Sequence, residues 1–96
     1  MHDLDFRHGE YQWSFDRFAM MFDAYDGDKR VLCMISGEAL MDHFGARPPR
    51  AALEAAFVAN RAEIQDKARE LYRAWALSTD GRVLVRSADF DLVRAR

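Results

Sequence analysis

Disulfides, breakers and membrane-length runs are what this chain of 96 residues has least of: it holds one Cys, two Pro and five Gly. A single thiol makes no internal bridge, which excludes a disulfide-stapled scaffold. Cys33 sits in the apolar run Val31-Leu32-Cys33-Met34-Ile35. A buried, inert thiol is expected there, with no His or Lys beside it to lower its pKa. No apolar stretch reaches the roughly 18 residues of a membrane helix. The start, Met1-His2-Asp3-Leu4-Asp5, has neither the basic nor the apolar part of a secretion signal. Cytoplasmic residence without a membrane partner is the expectation. A net charge of −2 also lacks the cationic excess of a nucleic-acid binder, so nucleic acid is not an expected partner.

What is present fits one soluble domain: 50% of residues are hydrophobic and 31% charged, and the length is too short for two cores. Residues 1–10 are polar and read as a loose arm before a single domain over 11–96. From Tyr11 the period is two, with Tyr11, Trp13 and Phe15 alternating with Gln12, Ser14 and Asp16, the pattern of a strand with one dry face. Asp16-Arg17 turns the chain into a second strand over 18–25. Asp26-Gly27 is a hairpin signal, because glycine takes the positive φ of a tight turn. A third strand follows over 29–35, giving an antiparallel meander.

Ser36 is placed to cap a short helix over 37–44, with Glu38 at the positive end of its dipole, Ile35 stapling against Leu40, and Gly45 ending it. Pro48 and Pro49 suit a helix start. From there one long helix is expected to about Leu77, with Leu53, Phe57, Ile64, Ala68, Leu71 and Trp75 as its apolar stripe. Residues 78–81 form a turn, 82–86 a fourth strand, and Ser87 caps a last helical turn through Phe90. The fold class is therefore α+β, a small sheet packed by two helices.

Several strings carry a family likeness: the aromatic hairpin, Cys33-Met34-Ile35-Ser36 followed by Glu38-Ala39-Leu40, Phe57-Val58-Ala59-Asn60-Arg61-Ala62-Glu63-Ile64 leading to Ala68 and Tyr72, and Ser87-Ala88-Asp89-Phe90. In these the chain, from Tyr11 to Phe90, resembles the bacterial domain-of-unknown-function family 1488. The resemblance implies an α+β fold with a small sheet backed by two helices, and it implies no activity, cofactor or site. The arm before Tyr11 and the basic tail with Arg94 and Arg96 depart from the pattern.

Catalytic chemistry finds no convergent set, so no catalytic residue, metal or cofactor is assigned and a non-enzymatic role is expected. His2 and His8 lie in the arm and His43 near the end of the short helix, without a metal-ligand spacing. Asp23, Asp26 and Asp28 hint at calcium, but an EF-hand loop starting at Asp23 would need Glu where Met34 stands. No nucleophile elbow or phosphate loop occurs. Asn60 and Arg61 stand on the two margins of the helical stripe. Asn60 is expected to bond a backbone group of the sheet or short helix, and Arg61 to pair with Glu38 or Asp42. The alternative is a ligand or partner site: Arg61 and Asn60 with Arg50 near the helix start, and Tyr72 or Trp75 as a stacking wall.

Charge is split along the chain, −5 over residues 1–45 and +3 over 46–96, so helix arginines are expected to meet hairpin carboxylates. The leading functional expectation is a self-association or protein-interaction module. The alternative is a small anionic-ligand or nucleic-acid binding module. A homodimer, or another protein partner, is expected because both sheet faces are apolar. Strand two carries Phe18, Met20, Phe22 and Ala24 on one face and Ala19, Met21 and Tyr25 on the other; in strand three Val31, Cys33 and Ile35 point one way and Leu32 and Met34 the other. One long helix of about 40 Å roofs one face. The other is covered either by the short helix and the turn near Phe90, or by a second copy.

Overall fold

The period-two segments form the sheet expected of them. In the computed structural model, β1 (Tyr11–Ser14), β2 (Ala19–Asp26) and β3 (Lys29–Ser36) are an antiparallel meander. Gly27 turns the second hairpin at φ 65°. Residues 3–7, 9–78 and 81–94 are described, with the backbone alone beyond Phe90. His2, His8, the centre of the turn at Thr79 and Asp80, the Arg94 side chain and Arg96 lie outside that description.

Helix ends follow local chemistry. α1 (Gly37–Phe44) begins where the Ser36 hydroxyl accepts from the Ala39 amide at 3.1 Å, and it ends at Gly45 with φ 71°. The expected long helix is instead two, α2 (Arg50–Ala59) and α3 (Arg61–Arg73). Asn60 divides them: its φ/ψ of −117°/24° leaves the helical region, and its Nδ2 donates to the Ala56 carbonyl at 2.9 Å. This is the local side-chain bond with which Asn competes against the helical ladder. The stripe survives the break, since Leu53, Phe57, Ile64, Ala68 and Tyr72 are all buried. It stops short of its expected end, however: Leu71 is half-buried and Trp75 is 69% exposed, because α3 finishes at Arg73.

Beyond the turn, β4 (Val83–Val85) adds to β3 in parallel, completing a mixed sheet of order β1-β2-β3-β4. A parallel neighbour requires a crossover, and α1, α2 and α3 supply it. α4 (Ser87–Arg94) is a full helix rather than a single turn.

The arm is not loose where it is described. Leu4 is 3% exposed, Asp5 exchanges two backbone hydrogen bonds of 2.8 Å with Tyr25, and Phe6 packs on Phe22. α3 ties the arm down, Arg69 donating to the Leu4 carbonyl at 3.2 Å and Arg73 pairing with Asp3 at 2.6 Å. Leu4, Phe57, Ile64, Leu40 and Phe90 meet Phe22, Cys33, Ile35, Val83 and Val85 in one core. Burial pushes the Cys33 thiol up to about 12, with the Asp23 charge adding to it. The thiol is packing, as expected. No helix among the described residues is long and apolar enough to cross a membrane.

Candidate functional site

The seam expected to hold a ligand is built as packing. The Arg61 guanidinium donates to the Gly9 carbonyl and lies over the rings of Tyr11, at 5.0 Å, and Phe57, at 5.7 Å. Its partners are thus a backbone oxygen and two ring faces, not Glu38 or Asp42; Asp42 accepts from the Ser87 hydroxyl at 2.9 Å. Asn60 bonds its own helix rather than the sheet or α1. Arg50 lies 5.5 Å over Phe15. The Tyr72 hydroxyl donates to Asp26, and that bond, reinforced by desolvation and the carboxylate charge, pushes the phenol up to about 12. Of the expected charge pairing between helix arginines and the first half of the chain, Arg73–Asp3 is formed. Arg69 pairs within its own helix with Asp66, and Arg30 pairs with Asp23 across the hairpin.

Ser36 and His43 make structural contacts, though among the described residues the His43 Nδ1 is buried with no hydrogen-bond partner. Ser36 caps α1. His43 Nε2 lies 3.0 Å from Glu63, with its ring stacked on Phe90 at 4.1 Å. Among the described residues no cluster of three or more His, Cys, Asp or Glu is arranged to hold a metal.

The sheet's second face carries the concavities. Directly paired residues share a face, so the register places Gln12, Met21, Met34 and Leu84 in one row across all four strands. Asp23 with Leu32, and Ala19 with Ser36, flank it on either side. None of these side chains belongs to the helix-covered core. All four helices contribute core residues to the opposite side; α1 and α4 reach this face at one end, where Glu38, Ser87 and Ala88 stand beside the buried Ala19 and Met34. Met21, Leu32 and Leu84 stay half-buried.

Among the described residues, hollows open along this face. A cleft of about 170 Å³ on the β1 side is bordered by Glu10, Gln12, Met21, Asp23, Arg30 and Leu32. A concavity of about 480 Å³ towards β4 includes Lys29, Leu32, Tyr72, Trp75, Leu77 and Arg82. A third, of about 560 Å³, lies at the other end of the strands, between Arg17, Ala19, Met34, Leu84 and Arg86. Tyr72 borders the second hollow, whereas Arg61, Asn60 and Arg50 line none of the three. Trp75, assigned to the core stripe by helical spacing and named with Tyr72 as a candidate stacking wall, is found exposed at the edge of the open face.

A family model described as "Protein of unknown function (DUF1488)" matches residues 4–85. The crystal structure of a protein of unknown function from the DUF1488 family of Shewanella loihica PV-4 aligns with a TM-score of 0.77 and 18% identity, covering 88% of this chain and 90% of that one. At that identity the likeness speaks for the fold alone. No curated protein matches the chain.

Proposed function

This chain belongs to the DUF1488 family of unknown function, and from its geometry we propose that it is a non-enzymatic self-association module whose open sheet face pairs with a second copy. One observation carries the proposal: the row Gln12-Met21-Met34-Leu84, with Leu32 beside it, lies on the face away from the helix-packed core, where Met34 is buried but Met21, Leu32 and Leu84 stay half-buried, and where α1 and α4 reach one end through Glu38, Ser87 and Ala88. Methionine and leucine without stacking rings in that row favour a protein surface over a nucleic acid.

Charge favours a second copy as the occupant. Glu10 and Asp23, the latter paired with Arg30, stand towards the β1 side, and Arg82 towards the β4 side at the same end of the strands. A twofold axis parallel to the strands lays the β1 side of one copy over the β4 side of the other, bringing acid over base twice. The flat face alone is smaller than a stable interface needs. At about 3.3 Å per residue and 4.8 Å between strands, the sheet has a plan of roughly 360 Å² per copy. A pair buries roughly 700 Å² before its rim is added, against about 1,200 Å² for the smallest stable interfaces. Cytoplasmic residence is part of the same reading, supported by the single buried thiol.

Light scattering after size exclusion, from low to high micromolar chain, tests the pairing. The native chain should approach twice its monomer mass. Leu32→Lys, on a half-buried position of the open face, should remain folded by circular dichroism and run as a monomer. A monomeric native chain at every concentration, or an undisturbed Leu32→Lys dimer, refutes the proposal.

A further inference from the structure

Trp75 occupies a place that helix geometry ordinarily gives to glycine. At the end of α3 the Ala76 amide donates to Leu71 at 2.9 Å and the Trp75 amide to Tyr72 at 3.0 Å, the paired bonds of a Schellman ending. Its left-handed residue is Trp75 itself, at φ 60°, where a Cβ crowds the following carbonyl and glycine would not. Burial within the chain does not offset this, because the indole is 69% exposed. Among the described residues, the aromatic ring beside it is Tyr72, 6.0 Å away. A large ring held out in a strained conformation, on the rim of an apolar face, has the character of an interface anchor.

The flat face falls several hundred Å² short of a stable interface, and a tryptophan supplies about 150–250 Å² of burial. Resting on the proposed pairing, we infer that Trp75 of each copy seats in the β1-side cleft of the other, between Gln12, Met21 and Leu32. The strand-parallel twofold axis fits this docking. Trp75 stands towards β4 at the Lys29 end of β3, and the cleft lies towards β1 near that end, so the symmetry superposes the two. The cleft measures about 170 Å³, while a cavity of about 150 Å³ accommodates a benzene ring. Lys29 and Arg82 accompany Trp75, and Glu10 and Asp23 border the cleft, where Arg30 already pairs with Asp23. The docked indole N–H has the Glu10 carboxylate as its acceptor.

Trp75→Gly separates the two roles of this residue. The substitution should raise the urea midpoint of the dilute monomer, by relieving the left-handed backbone, while raising the dimer dissociation constant at least thirtyfold in sedimentation equilibrium. A Trp13→Phe chain, in which Trp75 is the sole tryptophan, should show its emission shift to longer wavelength as the dimer is diluted apart. If the native chain pairs but Trp75→Gly pairs within threefold of it and the emission ignores dilution, the anchor is refuted and the pairing stands. If the native chain never pairs, both fall.

Discussion

Adding one methyl group at Gly37 opposes two effects of known sign. Gly37 opens α1, and alanine in a helix gains up to about 1 kcal/mol over glycine, with less expected in the first turn. Against this, a Cβ at position 37 would stand 2.3 Å from Phe18 Cε2, 2.6 Å from Cδ2 and 2.7 Å from Cζ, so the ring must retreat by about 1 Å to regain van der Waals contact at roughly 3.5 Å. Retreat is hindered. The ring meets Trp13 edge-on at 5.4 Å, and the Gly37 amide donates to the Phe18 carbonyl at 2.8 Å, holding the two backbones together. Overpacking of this kind costs about 1–3 kcal/mol. The clash therefore outweighs propensity, and Gly37→Ala should lose about 1–2 kcal/mol.

With a urea dependence near 1 kcal/mol per M for a domain this small, the unfolding midpoint of Gly37→Ala should drop by roughly 1–2 M. The test is a double-mutant cycle followed by circular dichroism at a concentration where the chain is monomeric. In a Phe18→Ala background the methyl has room, and Gly37→Ala should become neutral or slightly stabilising, a coupling of about 2 kcal/mol. A raised midpoint in the native background, or equal losses in both backgrounds, would refute the reasoning.

Phe57 is fully buried against Tyr11 and Phe22, with ring centroids at 5.2 and 5.4 Å. Phe57→Ala should cost about 3–5 kcal/mol, and a loss below about 1 kcal/mol in a urea titration would contradict the placement of α2. Arg61→Leu should lose about 1–2 kcal/mol with the Gly9 bond and the two ring contacts while leaving the dimer mass unchanged; full stability with lost pairing would make Arg61 a recognition residue. The Tyr72 phenol is raised to about 12 by Asp26, so its contribution is complete below about pH 10 and is lost as pH rises through the folded value. Absorbance titration should show a late tyrosinate that Asp26→Asn moves to lower pH; a late tyrosinate unmoved by Asp26→Asn, or none, would refute it.

The parts of this fold legible in the sequence are those that one residue's chemistry decides. Ser36 caps, Gly45 and Gly27 take positive φ, and period two writes the meander, because each signal acts within a turn of itself. The parallel docking of β4 on β3 depends on a crossover of three helices and has no local mark. The arm illustrates a signal overlooked: Leu4 and Phe6 alternate with Asp3, Asp5 and Arg7, a short period-two pattern beneath a polar composition. Asp5 indeed pairs with Tyr25, on the same edge of β2 that β1 extends. Arg61 could not be assigned its true partner without that docking, since the Gly9 carbonyl lies 52 positions away along the chain.

Periodicity carries no information about where a helix stops, and this limit explains both errors on the long stripe. At Asn60 the chain changes direction but resumes in phase, so Phe57 and Ile64 share a face across the break as they would in one helix. At Trp75 the phase is equally good, four residues beyond Leu71, yet the ring is exposed because the last helical residue is Arg73. A glycine at the left-handed position would have marked that end. Tryptophan at this position gives no such signal, and its ring stands on the rim of the open face. Trp75, which makes the helix look longer in the sequence, is an exposed large aromatic beside the apolar row, which is why the pairing and the backbone strain at position 75 are testable with a single glycine.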